Sequence, residues 1–120
     1  MKSSVLVAVD DLFFAAKIRA TAEHLCVEVS FPRSLEALGE AAKNCVPSLV
    51  IVDLHLRRHD PFAVARRFKA DEALREIPLV GFFSHVQVEL QRLAGEAGFD
   101  RVLPRSAFTR HLPEILQGRL

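Results

Sequence analysis

Three aspartates stand where two apolar runs end, and their positions indicate phosphoryl-transfer chemistry. Asp10 and Asp11 follow the run Val5–Val9, and Asp53 follows the run Leu49–Val52. If these runs are adjacent parallel strands, the carboxylates converge at the carboxyl edge of the sheet, where ligands bind in open α/β sheets. Their mutual repulsion is relieved by protonation or by a cation, and Mg2+ is a divalent ion that prefers oxygen ligands. A metal ion beside a carboxylate also neutralises the charge of a transferring phosphoryl group.

Each acid also has a purely structural interpretation. Asp10 and Asp11 are suited to the N-cap and first turn of a helix, and Asp53 to a turn after a strand. A carboxylate at the buried end of a strand is costly without a partner, which favours a metal ion or a basic neighbour for Asp53. Asp60, by contrast, is fully explained as the N-cap of a helix that begins near Pro61.

The histidines and Ser84 admit other chemistry. His55 and His59 lie four positions apart beside aspartates, so they are either ligands of a transition metal or solvated loop residues. Ser84 lacks the second glycine of the G-x-S-x-G pattern, and the sequence has no glycine-rich phosphate loop, so serine-hydrolase and nucleotide-binding functions are not indicated. A metal-dependent phosphatase that uses the acids with His55 or His85 as its base is a further hypothesis.

The elements that position these residues are apolar runs alternating with segments of helical period, which is typical of a parallel sheet covered by helices. The predicted strands are Val5–Val9, Val27–Phe31, Leu49–Val52, Pro78–Phe83 and Arg101–Pro104. Consecutive apolar residues in the third run indicate a central strand that is buried on both faces. The helices are predicted from residues spaced three or four apart: Phe14, Ile18, Ala22 and Leu25; Leu35, Leu38 and Ala42 after the cap Ser34; Phe62, Ala65 and Phe68; Val86, Leu90, Leu93 and Ala97 before Gly98; and Phe108, Leu112, Ile115 and Leu116 around Pro113.

The composition favours a single domain over residues 1–120 with no effector domain. The chain has 120 residues, is 50% hydrophobic and carries a net charge of +1. No apolar run approaches the roughly 20 residues of a membrane span, and the N-terminus is a poor signal peptide, so we expect a cytoplasmic protein without membrane or nucleic-acid partners. Cys26 and Cys45 are expected to be buried free thiols. A solvated surface, rather than a nucleic-acid interface, is the interpretation of the arginines Arg57, Arg58, Arg66 and Arg67.

Four segments carry a resemblance to a known family. They are "VLVAVDDLFFAAKI", "LVIVDLHLRRHDPF", "IPLVGFFSHV" and "GFDRVLPRSAF". In this order they resemble the signature segments of a response-regulator receiver domain of the chemotaxis-regulator type, from Val5 to about Leu116. The resemblance implies an α/β fold of three layers, a (βα)5 flavodoxin-like arrangement with a doubly wound parallel five-stranded sheet in the order 2-1-3-4-5.

The resemblance also implies roles for individual residues. Asp53 becomes the phosphoryl acceptor, Asp11 a direct Mg2+ ligand, and Asp10 an acid that acts largely through water. The backbone carbonyl of His55 is implied as the third protein ligand of the ion. The hydroxyl position at the end of the fourth strand falls on Ser84 if the strand carries one extra residue.

Several positions depart from the family pattern. Without the extra residue, the hydroxyl position falls on Phe83 instead of Ser84. Arg105 stands where the family has a lysine that contacts the phosphoryl group, and arginine is a planar fork rather than a compact point charge. Other replacements are Val102 for the usual switch aromatic, Arg57 for a proline in the loop after the acceptor, and Pro61 for a glycine.

Two hypotheses about function follow from the resemblance. In the first, Asp53 accepts a phosphoryl group with Mg2+ from a histidine kinase or a phosphotransfer protein, and the changed surface around the fourth helix, fifth strand and fifth helix alters binding to a downstream protein. Such a chain is a monomer or weak homodimer and is not an enzyme beyond phosphorylation and dephosphorylation of itself. In the alternative, a pseudo-receiver keeps the fold as a phosphorylation-independent protein-interaction module.

Overall fold

Strands and helices alternate, with two consecutive helices after the last strand, in a computed structural model that describes residues 4–57, 60–84 and 88–119. The five strands form one parallel sheet in the order β2-β1-β3-β4-β5, which confirms the predicted fold class. Arg58, His59, His85 and Val86 lie outside the described residues. The elements are β1 Ser4–Ala8, α1 Leu12–His24, β2 Glu28–Ser30, α2 Leu35–Asn44, β3 Leu49–Asp53, α3 Pro61–Ala70, β4 Leu79–Phe83, α4 Val88–Ala97, β5 Arg101–Pro104, α5 Arg105–Arg110 and α6 Leu112–Leu116.

The bounds of the first four strands differ from the predicted ones by one residue at one or both ends. β3 ends at Asp53 rather than at Val52, so the acidic residue itself is the last residue of the strand. β5 has the predicted bounds. The last helical segment is divided into α5 and α6 at His111, with Pro113 in the first turn of α6, where its missing N–H is tolerated.

The core lies on both faces of the sheet, and β3 contributes to each in alternation. Val50 and Val52 pack on the face that α2, α3 and α4 cover. Leu49 and Ile51 pack on the face that α1, α5 and α6 cover. This alternation explains why the strand is apolar at consecutive positions. By the same alternation, Asp53 follows Ile51 and belongs to the face of α1, α5 and α6.

Side-chain caps fix the starts of three helices, and the caps at Ser34 and Asp60 confirm the sequence predictions. Ser34 Oγ accepts from the backbone N–H of Ala37 at 2.9 Å at the start of α2. Asp60 Oδ1 accepts from the backbone N–H of Phe62 at 2.9 Å at the start of α3. Asp11 caps α1 in the same way. Within the described ranges, no helix has the length and apolar character that would let it span a membrane.

Three predicted buried positions are wrong. Cys26 and Cys45 are free, as expected, but exposed. Cys26 lies just after α1 with a φ of 59°, in a left-handed turn outside the packed layers, and Cys45 is the C-cap residue of α2. Leu93 is 39% exposed, because Ala94 is the residue of α4 that faces the sheet. Apolar sequence neighbours therefore do not bury a residue that sits in a connection or on the outer side of a helix.

Two phenylalanines with opposite burial test this core. Phe68 is 0% exposed and Phe13 is 90% exposed. Phe68→Ala leaves a cavity between α3 and the sheet, so we expect a loss of about 3–5 kcal/mol in the free energy of unfolding. Phe13→Ala is the matched control and should change it by less than about 0.5 kcal/mol. Urea denaturation followed by circular dichroism measures both, and equal losses would contradict this packing.

Candidate functional site

The pairing of β1 with β3 brings the three aspartates to one edge of the sheet. Ala8, the last residue of β1, pairs with Val52. Asp53 therefore lies one residue beyond this pair on β3, and Asp10 and Asp11 lie two and three residues beyond Ala8. The predicted convergence at the carboxyl edge is present at the level of the backbone.

The pairing of the other strands brings Ser84 and Arg105 to the same edge. Asp53 pairs with Phe82 of β4, so Ser84 lies two residues beyond this pair. Pro104 ends β5, so Arg105 begins α5 immediately beyond the sheet. The predicted site residues thus lie at or just beyond the carboxyl ends of the parallel strands.

The end of β4 distinguishes between Phe83 and Ser84, the two candidates for the hydroxyl position. Phe83 is the last residue of the strand, is 1% exposed and packs on the face of α2, α3 and α4. Ser84 is the first residue after the strand and is exposed. The arrangement favours Ser84, because only its side chain combines a hydroxyl with access to solvent at this edge. Its part in a reaction stays a prediction.

Asp53 is a half-buried carboxylate that is held by one oxygen. Its Oδ1 accepts from the backbone N–H of His55 at 2.8 Å. Its Oδ2 accepts no hydrogen bond from the part of the chain that the structure describes. Burial raises the pKa of Asp53 above its ordinary value, the nearby charge of Asp10 adds to this, and the His55 N–H with the charges of His55 and Arg105 opposes it.

His55 contributes a contact that the sequence argument missed. The resemblance implied its backbone carbonyl as a metal ligand, and that role stays a prediction. The structure shows its backbone N–H on Asp53 instead, in a turn that also joins Leu56 N–H to the Asp53 carbonyl at 3.1 Å. The signal was present in the sequence, since aspartate after a strand commonly binds the amide two residues ahead.

Asp10 is tied to the connection after β3. Its Oδ2 accepts from the backbone N–H of Arg57 at 3.0 Å. The bond joins residues 47 positions apart and holds the two acid-bearing connections together. A proline at position 57, as in the family pattern, has no N–H to donate. Arg57 therefore acts on the site through its backbone N–H, a contact that the sequence argument did not predict.

Arg105 contacts Asp11, not the predicted phosphoryl acceptor. Its Nη2 donates to Asp11 Oδ2 at 2.9 Å. Its Cζ lies 4.2 Å from the ring centroid of Phe14, within the range of a cation–π contact. The side-chain bond from Arg105 lowers the pKa of Asp11, and the backbone N–H groups of Phe14 and Phe13 lower it further, against desolvation.

Phe14, on which Arg105 stacks, belongs to a cluster of three aromatic rings with Phe82 and Phe108. The ring centroids of Phe14 and Phe82 are 4.9 Å apart, and those of Phe82 and Phe108 are 4.6 Å apart. All three rings are buried on the face of α1, α5 and α6. Phe82 is also the register partner of Asp53, so the cluster lies against the same strand end. Val102, at the usual switch position, is half-buried on the opposite face.

The donor set does not fit the predicted Mg2+ site in this arrangement. Asp11 Oδ1 accepts from the N–H groups of Phe13 and Phe14, at 2.9 and 3.2 Å, and its Oδ2 accepts from Arg105. Among residues 4–57, 60–84 and 88–119, no three histidine, cysteine, aspartate or glutamate side chains form a group that is placed to hold a metal ion. The Arg105 guanidinium thus binds the carboxylate of Asp11, which was predicted as a direct ligand of the ion.

Comparison with known proteins gives a whole-length match to receiver structures. No protein-family model matches the sequence, and no curated protein does. The chemotaxis response regulator CheY4 of Vibrio cholerae is 15% identical, with a TM-score of 0.84 and 100% of both chains covered. The phosphorylated cyanobacterial phytochrome response regulator RcpA is 21% identical, with a TM-score of 0.78, 98% of this chain and 91% of that chain. The Mn2+-bound form of response regulator Rcp1 is 20% identical, with a TM-score of 0.74, 97% of this chain and 90% of that chain.

These likenesses confirm the predicted resemblance at the level of the fold. The sheet order, the helix layers and the full coverage are those of response-regulator receiver domains. At identities of 15–21%, the likeness carries the fold and not the chemistry of the individual residues.

The opposite pKa shifts of Asp53 and Asp11 give opposite effects of pH on stability. The raised pKa of Asp53 means that the folded state holds the proton more tightly, so ionised Asp53 destabilises the fold above that pKa and the penalty vanishes below the ordinary value of 3.8. The lowered pKa of Asp11 means that its ionised form stabilises the fold above 3.8, and this stability is lost as the pH falls through the lowered pKa.

The corresponding asparagine variants should therefore diverge as the pH rises. Between about pH 3 and pH 7, the free energy of unfolding of Asp53→Asn should increase relative to wild type, and that of Asp11→Asn should decrease. Urea titrations at several pH values measure both differences. A shift of the same sign for the two variants would show that the environments of these carboxylates are assigned wrongly.

Proposed function

We propose that the chain is a cytoplasmic receiver module whose Asp53 accepts a phosphoryl group from a histidine kinase or a phosphotransfer protein. The geometry of Asp53 is the observation that carries this proposal. One oxygen is held by the His55 amide at the end of a central strand, and the other accepts no hydrogen bond from the described residues. Burial raises its pKa, which makes the carboxylate a more basic nucleophile.

The proposed reaction is a transfer of the phosphoryl group between two nucleophiles. Asp53 Oδ2 attacks the phosphorus of a phosphohistidine, the P–N bond breaks, and the donor imidazole leaves with its electron pair and takes up a proton. A small acyl phosphate serves in the same way, with a P–O bond broken and a carboxylate released. The product is an acyl phosphate on Asp53.

Arg105 and Ser84 are the groups proposed to read the product. The positive charge of Arg105 already acts on Asp53 across the edge. A guanidinium binds phosphate oxygens through its planar set of N–H donors, and the Ser84 hydroxyl adds one more donor. Mg2+ stays a predicted cofactor of this proposal, supported by the Mn2+-bound form of Rcp1. No step of the transfer is assigned to the ion, because Asp11 engages Arg105.

The proposed output is a change in protein binding. In this proposal, the phosphoryl group on Asp53 alters how the module binds a downstream protein. The surface of α4, β5 and α5 is the proposed contact, since Arg105 begins α5 directly after β5. A movement of the Arg105 side chain toward a phosphoryl group therefore affects the first turn of α5.

A pseudo-receiver is the second candidate, and the Arg105–Asp11 pair favours it. The pair is held at 2.9 Å and stacked on Phe14 by contacts within the chain itself. An edge that is stabilised in this way presents one surface at all times. In this alternative, Asp53 accepts no phosphoryl group and the same protein partner binds constitutively.

The two candidates differ in a covalent adduct. The protein is incubated with Mg2+ and acetyl phosphate, and intact mass spectrometry detects the product. We expect an acid-stable, base-labile phosphoryl adduct in wild type and none in Asp53→Asn. Asp60→Asn is the matched control, because asparagine caps a helix as well as aspartate does and the adduct should persist.

The contrary results are equally defined. A folded wild-type protein that forms no adduct with several donors over a range of pH contradicts the phosphorylation-dependent function and leaves the pseudo-receiver. An adduct of unchanged yield in Asp53→Asn means that another residue is the acceptor.

A further inference from the structure

The three carboxylates at the edge need positive charge nearby, and Arg105 supplies it from within the chain. The Arg105 guanidinium binds Asp11 and its charge also lowers the pKa of Asp53, against the effect of burial. A divalent ion would neutralise the same edge. The Arg105 guanidinium and a divalent ion would therefore bind the same carboxylate oxygens.

Arg105 is held in place by two independent contacts. Its Nη2 donates to Asp11 Oδ2 at 2.9 Å, and its Cζ lies 4.2 Å from the ring centroid of Phe14. Phe14 is itself 5% exposed and packs on Phe82 and Phe108, so the stacking surface cannot move away freely. The side chain of Arg105 is 35% exposed, so solvent screens the attraction between Arg105 and Asp11 only partly. The guanidinium is thus positioned by contacts within the fold.

The oxygens of Asp11 are committed to these partners. Oδ1 caps α1 through the N–H groups of Phe13 and Phe14. Oδ2 is the oxygen that Arg105 binds. A divalent ion that is ligated by Asp11 must displace the guanidinium or lie within a few ångströms of it. Two positive charges at such a distance repel each other strongly near a protein surface.

We propose that the Arg105 guanidinium is the resident cation of Asp11 and competes with divalent metal ions for this carboxylate. The family lysine is a flexible point charge, whereas arginine adds a planar face that stacks on Phe14. The replacement by Arg105 therefore lowers the affinity of the edge for the ion rather than merely preserving a positive charge. This inference rests on the proposed function in taking a divalent ion as the ligand of the site, but its test needs no phosphoryl group.

The test is a titration of the purified protein with Mn2+, followed by electron paramagnetic resonance of the free ion at pH 7. Arg105→Gln removes the charge, and we expect it to bind Mn2+ at least about tenfold more tightly than wild type. Arg101→Gln is the matched control, because it removes the same charge from an exposed residue at the other end of β5. Its affinity should stay within about twofold of wild type, since four steps along the extended chain place Arg101 about 13 Å from Arg105.

Two further variants make the outcome specific to this pair. Arg105→Met keeps an unbranched side chain that packs on Phe14, so it should show the same gain with less disturbance of the aromatic cluster. Combining Asp11→Asn with Arg105→Gln should abolish the gain. Thermal unfolding by circular dichroism verifies that each variant is folded.

The proposal is overturned if Arg105→Gln and Arg105→Met are folded and bind Mn2+ no more tightly than wild type. It is also overturned if Arg101→Gln gains as much, because net charge alone then explains the change. Absence of an acyl phosphate on Asp53 would remove the proposed function but leave this titration unaffected.

Discussion

β3 is a strand with no polar face, and this constraint determines where the acidic edge lies. Leu49 and Ile51 pack under α1, α5 and α6, and Val50 and Val52 pack under α2, α3 and α4. A shift of one residue would exchange the two faces and break both cores, so the register is strongly fixed. Asp53 then emerges at a set depth, half in the protein and half in solvent. Its raised pKa is a consequence of that depth.

Asp11 and Asp53 have different hydrogen-bond partners, and this difference affects the reactivity of the two carboxylates. Asp11 has an arginine and two helix amides, and its pKa is lowered. Asp53 has one amide, and desolvation outweighs it. A carboxylate that is strongly stabilised as an anion is a poor nucleophile, whereas one that is destabilised gains by forming a bond. The chemistry that this edge supports is therefore concentrated on Asp53, although the three residues are of one type.

The sequence predicted what depends on period and local caps, and it missed what depends on distant approach. The sheet order, the caps at Ser34 and Asp60 and the gathering of acids at one edge follow from apolar spacing and from the rules for parallel sheets. The pairing of Arg105 with Asp11 joins residues 94 positions apart and depends on how α5 and α1 meet, which no local pattern encodes. The exposure of Cys26 depends on a left-handed turn that apolar neighbours do not reveal.

Two departures from the family pattern act in the same direction. At position 57, a residue with an N–H stands where a proline would have none, and that N–H binds Asp10. At position 105, a guanidinium that stacks and donates stands where a flexible ammonium would be, and it binds Asp11. Each change gives an acid a partner from the chain itself. Under the proposed function a metal ion must compete with such partners, whereas one oxygen of Asp53 accepts no hydrogen bond from the described residues.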